Sequence, residues 1–359
     1  MREDGLEMIW FDTTKAGSQS HRSGLMRVSE CLRRELAALP GVSLGRAVWV
    51  PRKQAWVNVD TRKPIELGAE DWVLTPEVFS EEERPGIGAW LRAHGHRAAA
   101  LFHDAIPLRF PEITWPKSVA RHPAYMKLLA SFGRVFAVSQ ASAGDLAAYW
   151  RWLGLAHTPP VHALVLGADG HGRPRSPCRG RGASREVVMV GIVEPRKNQD
   201  LVLDAVEALA ADATALTVTF VGRVNPHFGR EIVRRMRRMT RAGFCLRYEE
   251  ALDDRAVAAL LERARFVVMP SRAEGCGLPV LEALWAGVPV LATSLPSIVE
   301  SAEGGGCQLV PADDPAAWVE GMRRMLLDDA SIEKLEREAA GRSLPRWADT
   351  AASLCAGLR

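Results

Sequence analysis

The chain has 359 residues, of which 47% are hydrophobic and 25% charged, and its formal net charge is +3. This length predicts two globular domains of roughly 150 to 180 residues each, and no apolar run reaches the roughly 18 residues that a membrane-spanning helix needs. The six cysteines form no C-x-x-C pair, so a zinc site and a disulfide framework are not expected. The excess positive charge is confined to residues 173–185, which hold five arginines. Because no broad basic face is predicted, a nucleic-acid partner is not expected.

The first residues also bear on localisation. Arg2, Glu3, Asp4 and Glu7 give them neither the basic start nor the apolar stretch of a signal peptide. Together with the unpaired cysteines, this pattern is typical of a cytoplasmic protein. Peripheral association at the inner membrane surface is left open.

Residues 1–171 alternate apolar runs with helical patterns and form the predicted first domain. Their strands are predicted at residues 8–11, 99–102 and 135–138, and their helices at residues 24–39 and from Ser139 onward. The composition of T-K-A-G-S-Q-S-H-R-S-G-L-M-R, residues 14–27, predicts a mobile loop after the first strand. The second predicted strand leads into L-F-H-D-A-I-P-L-R-F-P-E, which places His103 at a strand end.

Residues 172–185 are rich in Gly, Pro and Arg and are predicted to be an interdomain linker. The second predicted domain, residues 186–344, has a stricter rhythm of strands at 187–190, 217–221, 266–269 and 288–292 and helices at 200–211, 230–241, 253–265, 281–286 and 314–327. Such alternation indicates a parallel sheet covered on both faces. The fold class is therefore α/β, with two Rossmann-like domains facing a central cleft and ligands at the carboxyl ends of the strands.

The helix predicted at residues 230–241 carries six arginines beside an apolar face. A solvated helix face explains them most simply. A membrane surface or an acidic acceptor is the alternative.

The most informative stretch is P-S-R-A-E-G-C-G-L-P-V-L-E, residues 270–282, between a strand and a helix. Its glycines allow a tight turn, and Pro279 suits the first helical position. The amides and positive dipole of such a helix start suit a diphosphate. Glu274 and Glu282, eight residues apart, suit the hydroxyls of a hexose and a ribose.

A second stretch, V-V-M-V-G-I-V-E-P-R-K-N-Q-D, residues 187–200, places Arg196 and Lys197 in a loop between a strand and a helix. Two cations in such a loop suit the negative charge of a diphosphate.

These stretches resemble the retaining glycosyltransferases of family 4, whose signature is E-G-F-G-L-P-x-x-E and whose fold is GT-B. The chain departs from that signature at Cys276, where an aromatic residue is common, and at Ile192, where many members have an arginine. The loop G-x-x-E-P-R-K-N and the segment H-D-x-I-P-x-x-x-P-E are closest in style to bacterial mannosyltransferases.

The resemblance implies a role for each matching residue. Catalytic roles fall to His103, Glu274 and Lys197. The residues implied to bind the donor are Gly24, Arg196, Lys197, Gly275, Cys276, Gly277, Leu278 and Glu282. His21 and Arg22 are candidates for acceptor contacts, no metal or other cofactor is implied, and residues 345–359 are expected to pack back on the first domain as a helix.

The sequence therefore predicts a retaining, metal-independent hexosyltransferase. GDP-mannose is the favoured donor, and a glycan or lipid-linked saccharide of surface polysaccharide biosynthesis is the expected acceptor. A UDP-sugar donor, a nucleotide-sugar epimerase of the same fold and a catalytically inactive nucleotide-sugar-binding protein are the alternatives.

Overall fold

The computed structural model describes residues 8–15, 24–175, 180 and 184–359. The chain divides into two compact units, Met1–Gly167 with Pro345–Arg359, and Ala168–Leu344. This boundary lies four residues before the predicted one at 171/172. The reason is that the start of the predicted linker contacts the second unit, where Trp285 Nε1 donates to Arg173 O at 2.9 Å.

The first unit is built on a seven-stranded sheet in the order β3-β2-β1-β4-β5-β6-β7. Its strands are β1 (Ile9–Asp12), β2 (Leu44–Val50), β3 (Ala55–Asn58), β4 (Trp72–Thr75), β5 (Ala98–Phe102), β6 (Arg134–Ala137) and β7 (Val161–Ala163). The β2–β3 pair is antiparallel and the other neighbours are parallel. Its helices before the boundary are α1 (Gly24–Ala38), α2 (Ile87–His94), α3 (Ile106–Arg109), α4 (Pro116–Leu128) and α5 (Gln140–Trp152).

The second unit is built on a six-stranded parallel sheet in the order β10-β9-β8-β11-β12-β13. Its strands are β8 (Glu186–Val190), β9 (Thr217–Val221), β10 (Leu246–Glu249), β11 (Phe266–Met269), β12 (Val290–Thr293) and β13 (Cys307–Val310). Its helices are α6 (Gln199–Ala211), α7 (Arg230–Arg241), α8 (Asp254–Arg263), α9 (Leu278–Trp285), α10 (Pro296–Ala302), α11 (Pro315–Leu327) and α12 (Asp329–Gly341). This is the doubly wound order, in which the sheet reverses its direction of growth between β8 and β11.

The last helix, α13 (Trp347–Leu358), belongs to the first unit and packs on α1 and β6. Trp347 is buried, with 1% of its surface exposed. The chain approaches it closely at Gly167, where an added Cβ would lie 2.2 Å from Trp347 N. Thr350 Oγ1 also donates to Val165 O at 2.9 Å, so α13 is attached by both packing and hydrogen bonding.

Several predicted elements have the observed bounds, among them the strands at 217–221 and 266–269 and the helix at 230–241. The helix predicted from residue 281 begins earlier, at Leu278, because Gly277 turns the chain with φ +72° and Pro279 occupies the first turn. Helix α5 is capped by Ser139, whose side chain accepts from Ser142 N at 3.0 Å.

The arginine-rich helix α7 is amphipathic, and its buried face consists of Ile232, Val233, Met236 and Met239. One of its arginines is structural, because Arg235 pairs with Asp204 on α6 at 2.5 Å. Among the described residues, no helix is both long and apolar enough to cross a membrane.

Candidate active site

The two predicted loops of the second unit meet at the point where its sheet reverses direction. β8 and β11 are paired neighbours, with Val187 opposite Phe266. The loop after β8 therefore lies beside the loop after β11, although the two are separated by many residues in the chain. Ligands of open parallel sheets bind at this position.

The loop after β8 is held in shape by Gln199, the first residue of α6. Its side chain donates to Ile192 O at 2.9 Å and accepts from Glu194 N at 3.3 Å. A short 3₁₀ turn, Pro195–Lys197, follows, and Asn198 adopts the left-handed conformation with φ 60°. This turn presents Arg196 and Lys197 to the neighbouring loop.

Both cationic side chains, Lys197 and Arg196, contact the carboxylate of Glu274. Lys197 Nζ lies 2.5 Å from Glu274 Oε1, and Arg196 Nη1 lies 3.4 Å from Glu274 Oε2. The side chains of Lys197 and Glu274 are only 9% and 7% exposed. Arg196 Nη1 also donates to Ala273 O at 3.1 Å, so the cationic turn is bound to the carboxyl-end loop at several points.

Glu194 is a further member of this cluster that sequence analysis did not single out. Its Oε1 accepts from Arg196 Nε at 2.9 Å and from Nη2 at 2.8 Å, and its Oε2 accepts from Asn225 Nδ2 at 2.8 Å. A two-pronged contact of this kind fixes the plane of the guanidinium. Glu194 and Glu274 together balance the charges of Arg196 and Lys197.

The electrostatics of Glu274 follow from this arrangement. Burial alone would raise its pKa, but the positive charges of Lys197 and Arg196 outweigh burial and lower the pKa below its ordinary value of 4.5. Glu274 is therefore a carboxylate at neutral pH. It can only accept hydrogen bonds.

The turn that leads into α9 is supported from below by α10. Ser297 Oγ donates to Glu274 O and Ser301 Oγ donates to Cys276 O, each at 2.9 Å. Gly277 is required here, because its φ is +72° and an added Cβ would lie 2.3 Å from Ile298 Cδ1. The start of α9, with Leu278 as its first residue, thus follows a fixed turn and has the dipole and geometry of an anion site.

Glu282 lies in the second turn of α9 and is 6% exposed. Its Oε2 lies 3.2 Å from Nε2 of His171, another residue that sequence analysis did not identify. Glu274, Gly275, Cys276, Gly277, Leu278 and Glu282 thus belong to one continuous turn and helix start, and Arg196 and Lys197 contact its first residue.

His103 belongs to the first unit and directly follows β5. Its Nε2 lies 2.8 Å from Pro76 O. A carbonyl oxygen can only accept, so Nε2 carries the proton. Burial lowers the pKa of His103 below 6.5, even though Pro76 and Asp104 act in the opposite direction. The ring is therefore neutral at physiological pH, and Nδ1 is an acceptor.

The reversal point of the first sheet, between β1 and β4, holds a buried ionic network. Arg84, 1% exposed, lies with Nη1 2.6 Å from Asp12 Oδ2 and with Nη2 2.5 Å from Glu77 Oε2. Asp12 Oδ2 also accepts from Thr75 Oγ1 at 2.6 Å, and Glu77 Oε1 accepts from Lys15 N at 2.7 Å. The network fixes the start of the loop that follows β1.

Three further predicted residues belong to that loop. His21 and Arg22 lie outside the described residues. Gly24 is the first residue of α1, and an added Cβ there would meet nothing within 4 Å. The packing of the unit therefore does not require a glycine at this position, and the roles implied for these three residues stay predictions.

Within the described part of the chain, no three His, Cys, Asp or Glu side chains gather in an arrangement that could hold a metal ion. The expectation of a metal-independent reaction stays a prediction.

Residues 184–328 match the family model described as "Glycosyl transferases group 1". The matched region contains both loops of the second unit. The chain is also 25% identical, over 81% of its length, to the serotype-specific mannosyltransferase WbdA of Escherichia coli. It is 26% identical, over 73% of its length, to the O-antigen chain mannosyltransferase B of the same species. It spans 38% of the first relative and 65% of the second.

A solved structure extends the comparison to the whole chain. The HepE protein of Anabaena, determined in complex with UDP-glucose, superposes with a TM-score of 0.64 over 97% of this chain and 98% of that chain, at 16% identity. The likeness shows the fold alone. The predicted GT-B fold of two parallel-sheet domains and the resemblance to bacterial mannosyltransferases are confirmed.

Proposed function

We propose that the chain is a retaining, metal-independent glycosyltransferase. It transfers a hexose to a glycan or lipid-linked saccharide in surface polysaccharide biosynthesis. The favoured hexose is mannose, from the donor GDP-mannose. The observation that carries the proposal is the pairing of Lys197 and Arg196 with Glu274 at the reversal point of the second sheet. A cationic turn, a carboxylate and a helix start converge there.

The arrangement suits the charges that develop as a glycosidic bond to a diphosphate breaks. The leaving nucleoside diphosphate gains negative charge, and preorganised cations are often the largest source of stabilisation for such a group. Lys197 and Arg196 are already oriented by Glu274 and Glu194. They need little rearrangement when the diphosphate becomes an additional acceptor beside the start of α9.

The remaining groups position the sugar. Glu274 accepts hydrogen bonds from hexose hydroxyls. A role for His103 toward the sugar is proposed from the family resemblance alone, with its neutral Nδ1 as the acceptor. The acceptor oxygen attacks the face that the diphosphate leaves, and an oxygen of the leaving group takes its proton. This same-face course is proposed from the family resemblance.

A UDP-sugar is the second candidate donor. The names of the two relatives support mannose as the transferred sugar. HepE, which superposes on nearly the whole chain, was determined in complex with UDP-glucose and supports a UDP-sugar.

A transfer assay tests the proposal. Radiolabelled GDP-mannose or UDP-glucose is incubated with the protein, EDTA and a lipid-linked saccharide fraction, and labelled product and released nucleoside diphosphate are measured. We expect turnover in EDTA with one of the two donors, and the Lys197→Met variant should reduce it roughly 10²-fold or more. Lys334→Met, which changes an exposed lysine of the same unit, is the control.

Two results contradict the proposal. One is that neither donor gives product or released nucleotide. The other is that Lys197→Met turns over at the wild-type rate. Activity that disappears in EDTA and returns with added Mg²⁺ would overturn the metal-independent part alone.

A further inference from the structure

In the segment that enters the second unit, a histidine contacts Glu282, the second glutamate of the signature. His171 Nε2 lies 3.2 Å from Glu282 Oε2, and His171 Nδ1 lies 3.5 Å from Asp254 Oδ1. The side chains of His171 and Glu282 are only 9% and 7% exposed. The imidazole therefore lies between carboxylates from two helices, α8 and α9.

The backbone around this histidine is anchored to the same two helices. Arg173 Nη1 pairs with Glu262 Oε1 on α8 at 2.8 Å, and Arg173 O accepts from Trp285 Nε1 on α9 at 2.9 Å. His171 thus approaches Glu282 from a segment whose position is fixed on both sides.

The chemistry of the contact determines what it does to Glu282. The structure records the approach of His171 Nε2 to Glu282 Oε2 as an ion-pair contact at 3.2 Å, in which the carboxylate can act only as the acceptor. A carboxylate offers about four lone-pair sites, so the contact with His171 can orient the group and does not by itself exhaust its capacity to accept from hydroxyls. A side chain that is ordered before a ligand arrives avoids the entropy loss of being ordered on binding.

We infer that His171 is a positioning residue, which holds the Glu282 carboxylate in the rotamer that accepts the ribose hydroxyls of a nucleoside diphosphate. The inference rests on the proposed function, which gives Glu282 that ribose. His171 acts through Glu282 and does not itself contact the nucleotide.

Two amide substitutions separate this role from a purely structural one. In His171→Gln the side-chain amide nitrogen reaches the position of the imidazole Nε2 and can donate to Glu282. In His171→Asn the amide nitrogen is closer to the position of Nδ1 and is too short to reach that carboxylate. Arg173→Leu removes a neighbouring contact of the same segment, to Glu262 rather than Glu282, and is the control.

The measurement is calorimetric binding of GDP, UDP and their 2′,3′-dideoxy analogues to the full chain and each variant. We expect the wild type to bind its preferred nucleotide about 10- to 150-fold more tightly than the dideoxy analogue, as for hydrogen bonds to a charged group. His171→Asn should reduce this ribose preference to within about threefold, since it loses most of one such bond. His171→Gln and Arg173→Leu should keep most of it.

The outcomes separate the two proposals. If the wild type prefers the ribose and His171→Asn keeps the full preference, the inference about His171 is wrong and the proposed function stands. A wild type that binds both forms of the nucleotide equally well also overturns the inference. If neither GDP nor UDP binds the wild type, both proposals fail.

Discussion

Glu274 has its two oxygens facing Lys197 and Arg196 in a largely buried position. Removing one partner of a buried ion pair costs about 3–5 kcal/mol, and the cost here is reduced because Arg196 remains. We therefore expect Lys197→Met to lower the free energy of unfolding. Adding Glu274→Gln to that variant should recover part of the loss, because no buried charge is then left beside a missing partner.

Urea denaturation of the wild type, Lys197→Met and the double variant measures this effect. A double variant less stable than Lys197→Met would show that the two side chains do not form a pair in solution.

The pH dependence of stability follows from the lowered pKa of Glu274. Its pKa lies below 4.5 in the folded chain, so the folded state binds this proton less readily than the unfolded chain does. The charge of Glu274 therefore stabilises the fold above the unfolded value, and the contribution is lost as the pH falls through the folded value. Between about pH 6 and about pH 3.5, the wild type should lose more stability than Glu274→Gln. Urea midpoints that fall in parallel would contradict this account.

His103 makes a separate prediction about protonation. Because burial lowers its pKa and Nε2 donates to Pro76 O, the ring should stay neutral as the Nε2–H tautomer down to a pH below 6.5. Nitrogen NMR of labelled histidines, with His103→Gln used for assignment, measures both the tautomer and the titration midpoint. A midpoint above 6.5, or a proton on Nδ1 alone, would exclude Nδ1 as the acceptor for a sugar hydroxyl.

At the residue scale, the sequence predicted the members of the cluster formed by Glu274, Lys197 and Arg196 but not their contacts. Glu274, Lys197 and Arg196 are recognisable because local motifs bring turn residues and charges together. The Lys197–Glu274 pair depends on the adjacency of β8 and β11, which strand order determines and local sequence does not. Arg84 was missed for the same reason, since its partners Asp12 and Glu77 come from distant segments.

At the element scale, the packing of α13 can be tested by comparing the stability lost when a buried and an exposed tryptophan are truncated. Trp347 is 1% exposed where α13 packs on the first unit, whereas Trp152 at the end of α5 is 77% exposed. Truncating a buried tryptophan to alanine costs about 3–5 kcal/mol, and an exposed one costs much less. Scanning calorimetry should show a large drop in melting temperature for Trp347→Ala and a small one for Trp152→Ala. Equal drops would mean that α13 does not pack as described.

Sequence analysis did not identify the four edge strands of the two sheets, and it also missed two internal strands and several helices: β3, β7, β10 and β13, then β2 and β4, then α2, α3, α4, α10 and α12. β10 (L-R-Y-E) and β13 (C-Q-L-V) are edge strands with partly exposed residues. Such strands lack the continuous apolar run of a central strand. The antiparallel pair β2–β3 was missed because its turn, at Gln54 with φ 47°, contains no glycine. Central strands such as β9 and β11 are buried and were predicted with their observed bounds.

At the scale of the whole molecule, the two units share one strand order around their first six strands. Each gathers charged side chains at the carboxyl ends of its first and fourth strands. These are Asp12, Glu77 and Arg84 in the first unit and Arg196, Lys197 and Glu274 in the second. The topology therefore places charged side chains at the same position in both units, and the proposed function assigns a diphosphate to that position in the second unit.

The central claim is that this cationic turn and the start of α9 hold a nucleoside diphosphate without a metal ion. Titration calorimetry of GDP-mannose and UDP-glucose in EDTA, with the wild type and Lys197→Met, tests it most directly. The account predicts that at least one of the two binds the wild type and that Lys197→Met binds it about 10-fold or more weakly, as expected for loss of a charged hydrogen bond. Absence of binding by the wild type, or equal affinity in a folded Lys197→Met variant, would contradict it.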